Sequence, residues 1–190
     1  MDTDLGTALV ALARNAIARA LGLTAAPAPA PGHPRLAAPG ASFVTLRQGA
    51  DLRGCIGSLE AFRALRDDVE ANARAAAFRD PRFPPLARDE FARTAAEVSL
   101  LSASEPLPAA SEREALALLR PDVDGVVLEC GRHRATFLPQ VWEQMPDPQA
   151  FLEALKRKAG LPADYWSDDV RLARYTVEKF AERAPARVAS

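Results

Sequence analysis

Residues 42–59 read SFVTLRQGADLRGCIGSL, and this stretch decides the fold. Phe43 to Arg47 is rich in β-formers, QGAD (48–51) is turn chemistry, and Leu52 to Leu59 runs back. Two such runs joined by a short turn predict a β-hairpin, and so antiparallel pairing. Side chains alternate between the two faces of a strand. In the returning strand Leu52, Gly54 and Ile56 then share one face, and Arg53, Cys55 and Gly57 the other. A nearby guanidinium favours the thiolate and raises the reactive fraction of a cysteine. Glycines inside a strand weaken it and mark a bulge or the close approach of a ligand or of another backbone. Arg53 and Cys55 are therefore the first candidates for a site. The plainer alternative is a buried thiol acting as a small hydrophobe, beside an arginine that is solvated or paired to an acid.

Upstream of the hairpin, Leu5, Leu9, Leu12, Ala16 and Ala20 recur at helical spacing, widened by Ile17 and Leu21. This predicts an amphipathic helix that packs on the core. Its polar face is not strongly basic, which argues against a membrane-surface helix. Residues 24–40 (TAAPAPAPGHPRLAAPG) alternate proline, which forbids helix. They read as a surface loop rather than a domain boundary, so residues 1–190 form a single domain.

Downstream, a helix is expected from about Phe62 to Phe78, with Leu65, Val69, Ala73 and Ala76 inward and Pro81 beyond its end. FRDPRFPPL (78–86) is a proline-stiffened loop that either anchors the helix end or walls a cleft, with Phe83 needing burial. TAAEVSLLS (94–102) alternates as a strand. Glu97 and Ser99 share one of its faces, and Glu97 is a candidate base or cation partner if that face is not simply solvated. SASEPLPAAS (102–111) reads as a turn, followed by a short helix from Glu112 to Leu119. DGVVLE and RATFLPQVW flank CGRH (130–133) as a second hairpin. DPQAFLEALKRKAGLP (147–162) carries helix punctuation, with Asp147 as cap, Pro148 in the first turn and Gly160 at the end. DVRLARYTVEKF (169–180) leans to β. Hairpins separated by helices predict an α+β fold with mainly antiparallel sheets.

The chain of 190 residues has a net charge of -1. That excludes the basic excess on which phosphate-driven nucleic-acid binding rests. No run reaches the ~18 apolar residues of a membrane span, and the acidic, interrupted N-terminus does not read as a signal peptide. A soluble, cytoplasmic protein is expected, with Cys55 and Cys130 kept as thiols. The two histidines, His33 and His133, lie in the proline-rich loop and the CGRH turn, and a Cys55–His133 pair would require the two hairpins to meet. Scattered His and Cys match no zinc spacing. Asp67, Asp68 and Asp80 are the remaining oxygen ligands for a cation. Nucleotide and hydrolase signatures are absent, and the sequence names no cofactor.

LRGCIG (52–57) resembles the hexapeptide of the AMMECR-type domain, the A protein of the AmmeMemoRadiSam system. The resemblance extends through FVTL (43–46), AAFRDPRFPPL (76–86), EVSLLS (97–102), DGVVLECGRHRATFLPQVWE (124–143) and FLEALKRKAGLP (151–162). It implies an α+β fold with a larger and a smaller lobe around a cleft near the hexapeptide. It implies work beside a Memo-like and a radical SAM protein, and it places a variable turn residue at His133. The chain lacks the C-x-x-x-C-x-x-C cluster motif of the radical SAM component itself. On this footing a ligand or partner cleft would hold Leu52, Gly54, Ile56, Gly57 and Ser99. Two readings stand. In one the cleft binds a partner or ligand, Cys55 packs and Arg53 docks. In the other, Cys55 is a nucleophile or acid, Arg53 holds an anionic group and Glu97 assists proton transfer.

Overall fold

The computed structural model describes residues 3–25 and 33–182. The chain divides into two compact units. One runs to Leu101 and resumes at Glu178; the other is Ser102–Val177. In chain order the first unit holds α1 (Thr3–Ala20), β1 (Ser42–Gln48), β2 (Asp51–Gly57), α2 (Leu65–Phe78) and β3 (Ala95–Leu101). The second holds β4 (Glu105–Leu107), α3 (Glu112–Leu118), β5 (Gly125–Cys130), β6 (His133–Phe137), α4 (Pro148–Lys158) and β7 (Arg171–Tyr175). β8 (Val177–Ala181) returns to the first sheet, whose order is β2-β1-β3-β8. The second sheet runs β4-β7-β5-β6. The fold is α+β with two antiparallel sheets, as expected. No helix of the described residues is long and apolar enough to cross a membrane.

Both hairpins form where turn chemistry placed them. Gln48 pairs with Asp51 across Gly49-Ala50, and Cys130 with His133 across Gly131-Arg132. Gly49 (φ +63°) and Gly131 (φ +57°) each take the first central position, where a II′ turn needs a positive φ that glycine adopts freely. The stripe predicted on α1 is buried at Leu5, Leu9, Ala16 and Ile17, together with Val69 and Ala73 of α2, against Val44, Leu46 and Val98 of the sheet. In the second unit Trp142 stacks on Phe151, with centroids 3.7 Å apart, and its indole N–H donates to Asp124 O.

Four expectations need adjustment. α2 starts at Leu65 rather than Phe62, because Ala64 is bridged to Pro39 and Leu65 N–H donates to Ala38 O. SASEPLPAAS is not all turn. It contains β4, an edge strand that tolerates Pro106. RATFLPQVW leaves the sheet after Phe137, and Pro139 opens a 3₁₀ turn that ends at Glu143. DVRLARYTVEKF divides at Thr176 into β7 and β8, which belong to different sheets. Residues 26–32 of the proline-rich stretch lie outside the described residues; Pro34–Leu36 beyond them form a 3₁₀ turn capped by the His33 side chain.

Candidate functional site

β2 is an edge strand, and its pairing with β1 sets every side chain of the hexapeptide. Val44 pairs with Ile56, Thr45 with Cys55, and Leu46 with Gly54. The next pair is Arg47 with Leu52, so Arg53 is the extra residue of a β-bulge. Alternation therefore holds from Gly54 to Gly57 and stops at Arg53. Gly54 and Ile56 lie opposite the buried Leu46 and Val44, on the side covered by helices.

The two internal glycines admit neighbours of the protein's own. A Cβ on Gly54 would stand 2.2 Å from the carbonyl oxygen of Ala76 in α2. One on Gly57 would stand 2.2 Å from the ring of Phe43, its cross-strand partner. Of the approaches that a strand glycine allows, Gly54 thus serves that of another backbone, and Gly57 makes room for an aromatic ring.

Cys55 lies on the sheet face away from Ile56, beside Thr45, whose hydroxyl donates to Sγ at 3.4 Å. On the other side of Thr45 its partner in β3 is Glu97. Cys55, Thr45 and Glu97 therefore form one row across three strands, with Thr45 between thiol and carboxylate. Ser99 pairs with Phe43 one step along the same face and is buried.

The outer edge of β2 is engaged at Cys55. Asp80 Oδ2 accepts the Cys55 N–H at 2.9 Å, and Arg82 Nη2 donates to the Cys55 carbonyl at 3.3 Å. Asp80 and Arg82 also pair with each other at 2.7 Å. The Arg82 guanidinium, helped by the two N–H donors, holds the Asp80 carboxyl well below the usual carboxylate range against the opposing effect of burial. The cation in contact with Cys55 is thus Arg82, from the FRDPRFPPL loop. That loop anchors the end of α2 through Leu86 N–H to Ala77 O, and it also clamps the hexapeptide.

Arg53 points elsewhere. Its Nε and Nη2 donate to the two carboxylate oxygens of Glu90 at 3.0 and 2.9 Å. Gln48 and the Ala87 N–H donate to the same carboxylate. Arg53 is the main reason that Glu90 titrates at about 2, below its ordinary 4.5. The Arg53 side chain is 10% exposed, and its Nη1 is buried with no hydrogen-bond partner.

The other candidates are structural. Asp68 accepts from Ser42 N–H and hydroxyl, the Ser58 hydroxyl, Arg63 and Asn72, which ties α2 to both ends of the hairpin. Asp80 is committed to Cys55 and Arg82. Among the described residues no group of three or more His, Cys, Asp or Glu is placed to hold a metal ion. His133 Nδ1 lies 2.9 Å from Ala159 O within the second unit. Cys55 and Cys130 are both free thiols. Thr45, Arg82 and Glu90 carry no sequence signal for these roles. Only the strand register finds Thr45, and only the tertiary path finds the other two.

Two antiparallel-sheet units with LRGCIG on a clamped edge strand define the α+β class that the sequence resembles. The family model AMMECR1 matches residues 10–180, and the chain belongs to that family. A protein of Saccharolobus islandicus is 34% identical over 192 residues, covering 97% of this chain and 85% of its own. One from Methanothermobacter thermautotrophicus is 39% identical over 142 residues, 74% of either chain. The crystal structure of an uncharacterized protein of Pyrococcus horikoshii aligns with a TM-score of 0.79 at 33% identity, covering 93% of this chain and 91% of that one.

Proposed function

We propose that the protein is a binding component whose Leu52–Gly57 strand receives a ligand or a partner segment. In this reading it is the A component of a three-part set, beside a Memo-like and a radical SAM protein in the cytoplasm. Arg53 carries the reading. Two of its three nitrogens are locked on Glu90, and the third, Nη1, is buried with no hydrogen-bond partner. An unsatisfied buried donor costs about 1–3 kcal/mol, which an arriving acceptor would offset. A guanidinium already fixed on two sides loses little freedom on binding. The net charge of -1 speaks for protein or small-molecule partners over nucleic acid. The test is affinity of the purified chain for the Memo-like and radical SAM proteins, with Arg53→Lys as the variant. Lysine keeps a cation beside Glu90 but exchanges the two-bond fork for a single ammonium and deletes Nη1. Binding about tenfold weaker in a variant that still unfolds cooperatively is expected; equal affinity refutes the role of Arg53, and no affinity for either protein refutes the partnership.

The Thr45–Cys55 contact favours a second reading, an enzyme. There Cys55 attacks as nucleophile, Arg53 holds an anionic group, and Glu97 moves a proton across the row from beyond Thr45. Alkylation of Cys55 between pH 6 and 9, in the natural chain and in Thr45→Val and Arg82→Gln, tests it. A Cys55 that resists alkylation throughout ends this reading.

A further inference from the structure

A groove of about 900 Å³ lies between α1 and β8, away from the hexapeptide. Val10, Ala11, Phe91 and Phe180 give it an apolar lining, and Arg14 and Glu182, paired at 3.3 Å, stand in its wall. The volume is that of ligand pockets, ~300–1,000 Å³. β8 is last in the sheet order, so among the described residues its second edge has no neighbouring strand.

The pairing with β3 fixes what that edge offers. Glu182 N–H donates to Ala96 O, and at the other end of the ladder Ser102 N–H donates to Thr176 O. Residues of an antiparallel strand alternate between bonding toward a neighbour and away from it. Glu178 and Phe180 therefore bond toward β3, and the N–H and C=O of Lys179 and Ala181 point to the open edge. Both residues line the groove. A helix on one side and an unpaired strand edge on the other is the arrangement that accepts an extended peptide as an added strand.

Charge selects the occupant. Lys179 is exposed and has no ion-pair partner among the described residues. A lysine on an edge strand guards against pairing with an identical edge. A two-fold pairing of β8 with a second copy centred on Lys179 would set Lys179 against Lys179, and like charges directly opposite destabilise. An acidic residue in that place gains instead. The residues flanking it would turn to the side of Phe180, where Val10 and Ala11 favour apolar side chains. We propose that this groove binds an extended apolar–acidic–apolar segment of a partner protein, which joins the sheet as a fifth strand beside β8 with its acid opposite Lys179. This docking site is independent of the Arg53 reading.

The test uses the full chain and a fluorescein-labelled peptide, Thr-Val-Glu-Val-Thr with both ends blocked, read by anisotropy. A twin peptide carries Lys in place of Glu. Lys179→Pro removes an N–H that points into the groove and leaves the bonds to β3 intact. Lys179→Glu reverses the charge. The Glu peptide is expected to bind the natural chain, to bind Lys179→Glu about tenfold more weakly, and to lose saturable binding to Lys179→Pro. The Lys peptide is expected to prefer Lys179→Glu, which keeps the test decisive if the proline variant does not fold. No saturable binding of the Glu peptide up to millimolar concentration overturns the proposal. So does undiminished binding to a folded Lys179→Pro. A Lys179 amide already protected from hydrogen exchange in the peptide-free chain assigns the edge to a segment of this chain and overturns it. A concentration-dependent dimer that Lys179→Pro dissolves assigns the edge to a second copy, with the same consequence.

Discussion

Asp80 takes the backbone N–H of Cys55 at 2.9 Å, in the place where an edge strand would otherwise seek another strand. With Arg82 on the carbonyl of the same residue, an ion pair imitates one rung of a ladder. An open edge invites pairing with other chains, and a charged group seated on it closes that route. The hexapeptide is thereby held rigid at Cys55 from its own backbone, whatever its side chain does.

Removing the clamp should cost stability. The Asp80 side chain is 1% exposed and that of Arg82 is 54% exposed. Arg82→Ala leaves a buried carboxylate without its counter-charge, and Asp80→Ala leaves the Cys55 N–H without an acceptor. Because Arg82 is half exposed, water screens the carboxylate that Arg82→Ala leaves behind and two backbone N–H donors remain on it, so that loss is modest, and an orphaned amide costs about 1–3 kcal/mol. Urea denaturation should therefore rank Asp80→Ala, which removes every bond of the clamp, as the more damaging substitution. Asp80→Asn, which keeps an acceptor, should be milder than Asp80→Ala.

Acid should weaken the same region. Glu90 is held at about 2 against an ordinary 4.5, and Asp80 is also held low. A folded-state value below the unfolded one contributes stability above the unfolded value, and that stability is lost as pH falls through the folded one. The contribution from Glu90 is thus complete above about pH 4.5 and gone near pH 2. The stability gap between the natural chain and Glu90→Gln should be widest at neutral pH and narrow on acidification between these limits. A gap independent of pH would show that the Arg53 pair does not set the titration.

The glycines of the hexapeptide should differ in tolerance. Gly54→Ala drives a methyl into a helix carbonyl, which moves only with α2, whereas Gly57→Ala meets the Phe43 side chain, which yields by a change of χ1 without moving backbone. Overpacking costs about 1–3 kcal/mol, and more where backbone must shift. Thermal melting should place Gly54→Ala below Gly57→Ala.

Lys156 in α4 is fully buried, with its Nζ 2.8 Å from Glu112 Oε1. Glu112→Ala strands that ammonium and should destabilise by about 3 kcal/mol or more, whereas Lys156→Met should be close to neutral. Guanidinium denaturation of both variants checks the asymmetry.

Thiol labelling should also discriminate. Cys55 is partly exposed and Cys130 is 7% exposed. Iodoacetamide on the native chain, read by peptide mass, should modify Cys55 first and Cys130 only on unfolding.

Local chemistry made the hairpins legible, because Gly49 and Gly131 sit where short turns need them. The α1 stripe and the punctuation of α4 were equally plain. Arg53 was harder. Strict alternation put it beside Cys55, but a bulge is a mismatch between two strands, and neither strand carries it alone. Glu90 lies 37 residues from Arg53 and reaches it through the path of an irregular loop. Thr176 gave no warning either. Alternation runs through it without glycine or proline, and only the choice of partners, β5 on one side and β3 on the other, divides the segment.

That division at Thr176 has a consequence for synthesis. β3 receives β8 only after the whole of Ser102–Val177 has been made, so the second unit is an insertion within the first. A nascent chain holding α1 to β3 lacks the Phe180 ring that packs on Gly6. The inserted unit has a continuous sequence and can fold while the larger one waits for its last strand. Assembly of the larger unit then joins segments far apart in sequence, a closure that a translating ribosome delays until β8 has been made.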